Sequence, residues 1–169
     1  DDRVMFFTNL ARIKNITMAD MYENIYDEFF PYGAMPRFYD DYKEYKYENE
    51  LIDFTDMLKL GAKHLEPFFE ALFIDEAQDL SPIQWTLVQN MWHRSKQVHI
   101  AGDDDQAIYQ WAGADVGQFI RTPGHRTILN QSYRVPAKIA ERAKDFISSN
   151  VENRTPKDYK GTYVDGDIE

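Results

Sequence analysis

The stretch that decides the fold is Ala71-Leu72-Phe73-Ile74-Asp75-Glu76, a short apolar run that ends in two acids. A run of this length predicts a buried strand of a parallel sheet. Ser81-Pro82 supplies an N-cap and a first-turn proline for a helix that continues to about Trp92. Val98-His99-Ile100-Ala101 predicts a second buried strand, which ends at Gly102. Strand, helix and strand in this order indicate a right-handed βαβ unit and an α/β fold.

Towards the N-terminus the sequence predicts three helices, at 18–25, 38–45 and 55–64. Thr17 is expected to cap the first helix, because Asp20 occupies the acidic position of a capping box. A break is expected at Pro31-Tyr32-Gly33. The second helix carries an aromatic stripe at helical spacing, which we interpret as a core face rather than a base-stacking surface. Its members are Phe38, Tyr42 and Tyr45, with Tyr39 beside them.

The C-terminal third predicts one more strand and one more helix. The strand is Arg126-Thr127-Ile128-Leu129, and the helix runs from Pro136 to about Ser149. The turn Thr122-Pro123-Gly124 is the expected boundary between two lobes.

Composition excludes several classes of protein. The 169 residues are 43% hydrophobic, so a core can form, and no apolar run approaches the ~20 residues needed to cross a membrane. Cysteine is absent, which excludes disulfides and thiolate metal sites and agrees with an expected cytoplasmic location. The net charge of −10 excludes a protein that coats duplex DNA through a basic surface. It leaves open a motor that grips a single strand in a local basic groove.

Polar side chains follow each of the three predicted strands, at 75–79, 102–106 and 130–134. Ligands of open α/β sheets bind at the carboxyl ends of the strands, so we expect these side chains to face one cleft. Each group alone also has an ordinary interpretation. The Asp75-Glu76 pair could cap a helix, Asp103-Asp104-Asp105 could be a solvated turn, and Tyr133 could be a packing residue.

Together the three groups match what nucleotide hydrolysis needs: a carboxylate for hydrated Mg²⁺, a base for water and donors for the γ-phosphate. Asp75 and Glu76 can divide the first two tasks, since consecutive residues at a strand end point in different directions. Gln106 can hydrogen-bond water or phosphate without a charge. Arg134 offers a permanently charged, forked donor for phosphate oxygens.

These stretches resemble motifs of the UvrD/Rep/PcrA group of superfamily 1 DNA helicases. The stretch 74–79 resembles motif II, and 102–114 closely resembles motif III. The stretch 129–134 looks like motif IV, and 50–58 is similar to the acidic-aromatic helix before motif II. The resemblance covers about residues 49–149 and implies a partial RecA-like parallel sheet of the P-loop NTPase type, preceded by a helical region.

The same resemblance implies a division of the chain and a set of roles. Residues 1–65 would be a helical insertion of the first lobe, 66–121 a partial first RecA-like lobe and 122–169 the start of the second. Asp75 would hold Mg²⁺, and Glu76 would activate the attacking water. Gln106 and Arg134 would also be catalytic. Nucleotide binding is implied for Tyr133, Gln78 and Asp103, and binding of single-stranded DNA for Tyr109 and Trp111. An ordinary buried aromatic is the alternative for Trp111.

Two departures from the family pattern matter. Ala112 stands where the group commonly has an arginine, and no Gly-x-x-x-x-Gly-Lys-Ser/Thr phosphate loop occurs. We therefore expect the chain to begin downstream of that loop, to need the N-terminal part of the same helicase as a partner, and to be inactive alone. A sheet without its phosphate-loop strand exposes an edge, so self-association of the chain is a further expectation.

The leading hypothesis is a part of an ATP- and Mg²⁺-dependent translocase on single-stranded or partly duplex DNA, with 3′-to-5′ polarity implied by the family. The first alternative is a non-catalytic relic or accessory module that binds DNA or a partner. The second is a metal-dependent nuclease that uses the acids at 75–76 and 103–105.

Overall fold

The computed structural model describes residues 2–25, 30, 33–66, 68–164 and 166, within which it has seven α-helices and two β-strands. The helices are α1 Asp2–Lys14, α2 Met18–Glu23, α3 Ala34–Glu48, α4 Phe54–His64, α5 Pro82–Trp92, α6 Val116–Arg121 and α7 Ala137–Asn150. The strands are β1 Phe69–Ile74 and β2 Ser95–Ile100.

The predicted βαβ unit is present. Strands β1 and β2 are parallel, in a register that runs from Phe69 opposite Ser95 to Ile74 opposite Ile100, and α5 connects them. Ser81 precedes Pro82 as predicted, and its N–H donates to Gln84 Oε1 at 2.8 Å. The α/β class is therefore confirmed.

The strands are less buried than their apolar sequences predict. Phe73 is 72% exposed, and its ring stacks on His99 with the centroids 4.8 Å apart. Only one face of the sheet is covered, where Ile74 and Ile100 pack against a core formed by Ala77, Trp85 and Val88. Because the sheet has two strands within the described residues, its other face lacks the covering layer that a larger parallel sheet would have.

The predicted third strand, 126–129, is wrong. These residues are not in a strand, and Leu129 is 85% exposed. Pairing begins one residue further on, where Lys160 N–H donates to Asn130 O at 2.7 Å and Ser132 N–H donates to Lys160 O at 2.8 Å. This isolated bridge joins the segment to the end of the chain instead of to β2. Ile128 and Leu129 have no neighbouring strand with which their backbone groups could form the hydrogen bonds of a sheet.

The three predicted N-terminal helices are confirmed. Thr17 Oγ1 accepts from the Asp20 N–H at 3.0 Å while Asp20 Oδ2 accepts from the Thr17 N–H at 3.1 Å, which completes the capping box. Pro31 and Tyr32 of the predicted break lie outside the described residues. Gly33, at φ 78°, is the N-cap of α3, a left-handed conformation that glycine adopts without strain.

The helical region has its own core, separate from the core behind the sheet. It is formed by Val4 and Ala11 of α1, Met21 of α2, Met35 of α3 and Phe30, which precedes α3. Phe38 packs against this core, as the aromatic stripe predicts, but Tyr45 is 56% exposed, so the core interpretation is wrong for that residue.

The helical region contacts the βαβ unit mainly through α5. The Asn90 side chain donates to the Ala62 carbonyl of α4, and α1 also packs on α5. The helix that separates β1 from β2 is thus held between the sheet and the N-terminal helices. No helix within the described residues is long and apolar enough to span a membrane.

Candidate functional site

The two acids after β1 are both exposed to solvent. Asp75 Oδ1 accepts from the Glu76 backbone N–H at 2.9 Å, which leaves its other oxygen available. Glu76 has φ 51° and ψ 40°, a left-handed conformation that is uncommon for a residue with a side chain. Such a conformation requires the surrounding contacts to hold it, and residues of this kind concentrate at functional sites.

Gln78 holds Glu76 and connects it to the end of β2. Its side chain is buried, with 1% exposed. Its Nε2 donates to Glu76 Oε2 at 2.8 Å and to Asp79 Oδ2 at 3.2 Å. Its Oε1 accepts from the Asp103 backbone N–H at 2.9 Å. One buried amide therefore joins the turn after β1 to the turn after β2.

Gly102 permits this close approach of the two turns. A Cβ at this position would lie 2.6 Å from Gln78 Oε1, 3.0 Å from Phe119 Cζ and 3.1 Å from the Ala77 backbone nitrogen. The backbone ladder also continues past the strands, because Ala77 N–H donates to Ala101 O at 3.0 Å. A side chain at position 102 would collide with these atoms, and the two turns form one hydrogen-bonded unit.

Gln106 lies at the exposed side of the same unit. Its Nε2 donates to Asp103 Oδ2 at 2.5 Å. Asp103 thus contacts Gln106 through its carboxylate and Gln78 through its backbone. Glu76 and Gln106, two of the three predicted catalytic residues, are connected through two intermediate residues.

The acidic run 103–105 is not a solvated turn. Asp104 is 7% exposed, and the Lys157 ammonium contacts all three carboxylates. Arg154 forms a fork on Asp105, with Nε to Oδ1 at 2.7 Å and Nη2 to Oδ2 at 2.6 Å. We call this group, the run 103–105 with Arg154 and Lys157, the C-terminal clasp. The sequence analysis missed both cations, since partners some 50 residues apart leave no local signal.

The contacts within the clasp shift the pKa values of Lys157, Asp103 and Asp105 so that the charged form of each is favoured. Burial alone would lower the pKa of Lys157, but hydrogen bonds to the three carboxylates outweigh burial and raise it. Burial alone would raise the pKa of Asp103, but hydrogen bonds from Lys157 and Gln106 outweigh burial and lower it. The Arg154 fork lowers the pKa of Asp105. The shifted pKa values of Lys157, Asp103 and Asp105 all favour the charged form of each group.

The predicted DNA-binding aromatics lie on the loop that follows Gln106. Tyr109 is 48% exposed and Trp111 is 68% exposed, so the alternative of a buried tryptophan is wrong. The loop is tied back to the turn after β1, because Asp115 N–H donates to Leu80 O at 2.9 Å. Two exposed rings on an anchored loop are suited to stacking on flat, unpaired bases.

Tyr133 and Arg134 lie in a different place. They line a shallow pocket with residues from the end of the chain, among them Thr162, Tyr163 and Val164. Asp75, Glu76 and Gln106 are not part of that pocket. The Tyr133 ring is 89% exposed, so it is free to stack on a ligand. Hydrogen bonds therefore link the residues after the first two strands to one another, whereas Tyr133 and Arg134 line a pocket that does not include them.

The donor set fits a hydrated Mg²⁺ better than a metal held by protein alone. Within the described residues no cluster of three or more His, Cys, Asp or Glu side chains could hold a metal. Mg²⁺ retains several waters and commonly takes one or two carboxylates together with substrate phosphates. Asp75, exposed and with a free oxygen, fits that description.

Comparison with known proteins identifies the family of the chain. The family model for the UvrD/REP helicase N-terminal domain matches residues 8–125, which include both turns and the aromatic loop. The chain belongs to the UvrD/REP helicase family. The match to the family model ends before Tyr133 and Arg134.

Curated relatives in the UvrD/REP family carry matching names. The chain is 31% identical to the ATP-dependent DNA helicase PcrA of Bacillus subtilis, over 70% of the chain and 18% of the relative. It is 31% identical to the ATP-dependent DNA helicase Rep of Buchnera aphidicola, over 68% of the chain and 19% of the relative. It is 30% identical to PcrA of Staphylococcus epidermidis, over 90% of the chain and 23% of the relative. The chain therefore spans about a fifth of the length of these relatives.

Proposed function

We propose that the chain is the part of an ATP-dependent DNA helicase that couples nucleotide hydrolysis to a grip on single-stranded DNA. The observation that carries the proposal is the hydrogen-bonded connection from Glu76 through Gln78 and Asp103 to Gln106. It joins two exposed acids to the loop that bears Tyr109 and Trp111. The names of the relatives support ATP and DNA as the ligands.

In this proposal the acids divide the work at the nucleotide. Bound Mg²⁺ would neutralise charge on the phosphates, and Asp75 would hold it through the oxygen that does not accept from Glu76. Glu76 would orient and deprotonate the attacking water, with Gln78 fixing its carboxylate by the 2.8 Å hydrogen bond. A base fixed in this way is pre-positioned, which lowers the cost of reaching the transition state.

Gln106 would link the nucleotide to the DNA. Its amide donates to Asp103, and the same amide could donate to a γ-phosphate oxygen instead. That exchange would release Gln106 from Asp103 and move the loop that follows Gln106. Tyr109 and Trp111, exposed on that loop, would change their contact with stacked bases.

The second lobe would complete the site. We assign residues 122–169 to the start of that lobe, with Tyr133 stacking on the adenine and Arg134 reaching the phosphates when the lobes close. The exposure of Tyr133 supports the stacking role. We assign residues 66–121 to a partial first RecA-like lobe and 1–65 to its helical insertion, and we propose 3′-to-5′ movement of the intact motor.

The two alternatives are weakened to different degrees. A metal-dependent nuclease would need the carboxylates at 103–105 as metal ligands, whereas Lys157 and Arg154 occupy them. A non-catalytic module remains a competitor, and an activity measurement separates it from a motor.

The test is the ATPase rate of the intact helicase that contains this chain, measured with and without single-stranded DNA. We expect DNA to stimulate the rate and Glu76→Gln to lower kcat by about 100-fold or more, as for loss of a general base. Glu70→Gln is the matched control, since Glu70 is an exposed strand acid paired only with Lys96. An intact protein without DNA-stimulated ATPase, or an unaffected Glu76→Gln variant, would favour the non-catalytic module.

A further inference from the structure

We propose that Lys157 and Arg154 are positioning residues for the nucleotide site, through which the Tyr133–Arg134 segment controls Glu76 and Gln106. The proposal rests on the function proposed above. Neither cation belongs to a stretch that resembles a helicase motif, and neither touches the proposed catalytic residues directly. Both would act through Asp103 and its neighbours.

The first step is the ion pair between Lys157 and Asp103. Lys157 Nζ lies 2.5 Å from Asp103 Oδ1, and it also contacts Asp104 and, at 3.1 Å, Asp105 Oδ2. Without that ammonium, three adjacent carboxylates would share the single charge of Arg154. Like charges at this separation repel one another, and burial of Asp104 strengthens the repulsion. Asp103, the most exposed of the three, would be the residue that moves.

The second step runs from Asp103 to the catalytic residues. Its two carboxylate oxygens have different partners, Lys157 on Oδ1 and Gln106 on Oδ2. Its backbone N–H donates to Gln78, whose amide nitrogen holds Glu76. A displacement of Asp103 would therefore loosen Gln106 and Glu76 together.

The third step connects the clasp to the proposed second lobe. Lys160, three residues after Lys157, forms the backbone bridge with Asn130 and Ser132. Tyr133 and Arg134 follow Ser132 directly. The short segment 154–160 is thus fixed at one end to the acids after β2 and at the other to the strand-like turn before Arg134. A movement of residues 130–132 would be transmitted to Asp103 through the backbone bridge at Lys160 and the ion pair of Lys157.

If the ion pairs of Lys157 only stabilised the fold, their loss would leave the hydrogen bonds of the Gln78 and Gln106 side-chain amides unchanged. A positioning role predicts that these hydrogen bonds change. In the 169-residue chain, the side-chain amide NMR signals of Gln78 and Gln106 should shift in Lys157→Met and return in Lys157→Arg. Lys144→Met is the matched control, because Lys144 pairs with Asp158 on the surface close to the clasp in sequence. Unmoved Gln78 and Gln106 signals in a folded Lys157→Met chain would overturn the proposal.

A second variant protects this measurement against simple unfolding. Lys157→Gln keeps a hydrogen-bond donor near the acids and should shift the same two signals by a smaller amount. If neither variant folds while Lys144→Met does, the role of Lys157 is structural and the proposal fails.

The activity of the intact helicase provides an independent readout. Lys157→Met should lower the DNA-stimulated kcat by about tenfold, a coupling of ordinary size, with a much smaller change in KM for ATP. Lys157→Arg should restore most of the rate. A KM effect without a kcat effect would contradict a positioning role. Absence of ATPase in the unmodified helicase would instead contradict the proposed function, and the NMR result would still decide the role of Lys157.

Discussion

A cluster of two cations and two acids lies where α1, α3 and the start of α4 meet, and the expected effect of breaking it can be worked out from its contacts. Asp53 accepts from Arg12 Nη2, Lys46 Nζ and the Tyr42 hydroxyl, each at 2.9 Å, and Asp56 contacts the same two cations. The Arg12 side chain is 2% exposed and that of Lys46 is 9% exposed. Asp53 is also the N-cap of α4, where its Oδ1 accepts from the Asp56 N–H at 2.9 Å.

Asp53→Asn removes the charge and retains the cap, because asparagine is as good an N-cap as aspartate. Two buried cations would then share Asp56 alone. Breaking a buried pair costs about 3–5 kcal/mol, and since Asp56 remains we expect about half of that, ~2 kcal/mol. Asp53→Ala also removes the cap, which adds ~1 kcal/mol. For a chain of this length, ~2 kcal/mol corresponds to a fall in Tm of about 5 °C.

The assay is urea unfolding of the chain at neutral pH, followed by circular dichroism, together with a thermal scan. Asp40→Asn is the control, since Asp40 forms an exposed pair with Lys43 on α3, and it should leave the unfolding midpoint unchanged. A loss below about 0.5 kcal/mol for Asp53→Asn, the size of an ordinary surface substitution, would refute the reasoning. Equal losses for the asparagine and alanine variants would refute the assignment of the cap.

Five further outcomes are expected. Hydrogen bonds from Lys46, Arg12 and Tyr42 outweigh burial and lower the pKa of Asp53. The contribution of Asp53 to stability should therefore be present above pH 3.8, its ordinary pKa, and should be lost as the pH falls below that value. The pKa of Lys46 is raised, so its contribution should be lost above pH 10.5, which the urea midpoint at each pH will show. Gly102→Ala should destabilise the chain by ~1–3 kcal/mol in the same assay, because the added Cβ meets the Gln78 side chain. Trp111→Ala in the intact helicase should weaken binding of single-stranded DNA by ~1–3 kcal/mol in a fluorescence titration, with Trp111→Phe closer to the unmodified protein. Light scattering should show association of the chain at high concentration, and a monomer throughout would contradict the exposed-edge expectation.

Local signals account for the parts of the fold that the sequence predicted correctly. A capping box requires only residues three apart, so Thr17 and Asp20 identify the start of α2 without reference to the rest of the chain. Ser81-Pro82 identifies the start of α5 in the same way, and α5 with the apolar runs on either side defines the βαβ unit. The predicted boundaries of these elements agree with the structure to within a few residues.

Long-range partners account for what the sequence did not predict. An apolar stretch becomes a strand only if another strand lies beside it, and the residues at 126–129 have no such neighbour within the described chain. The same reason explains the exposure of Phe73, since an apolar strand sequence does not state how many layers will cover it. Motif III could be recognised from its own residues, but the contacts of Lys157 with its three acids could not.

The acids show why net charge is a weak guide to the function of this chain. A surplus of carboxylates predicts neither a metal site nor a solvated surface, because the role of each acid depends on whether a distant cation reaches it. Asp53 and Asp56 are paired with Arg12 and Lys46, and the run 103–105 is paired with Arg154 and Lys157. Within the described residues, Asp75 and Glu76 have no such cation, although they stand between the two neutralised groups in sequence. Two adjacent acids left exposed and unpaired at the end of a strand are available to a hydrated divalent cation, and this availability distinguishes them from Asp53, Asp56 and the run 103–105.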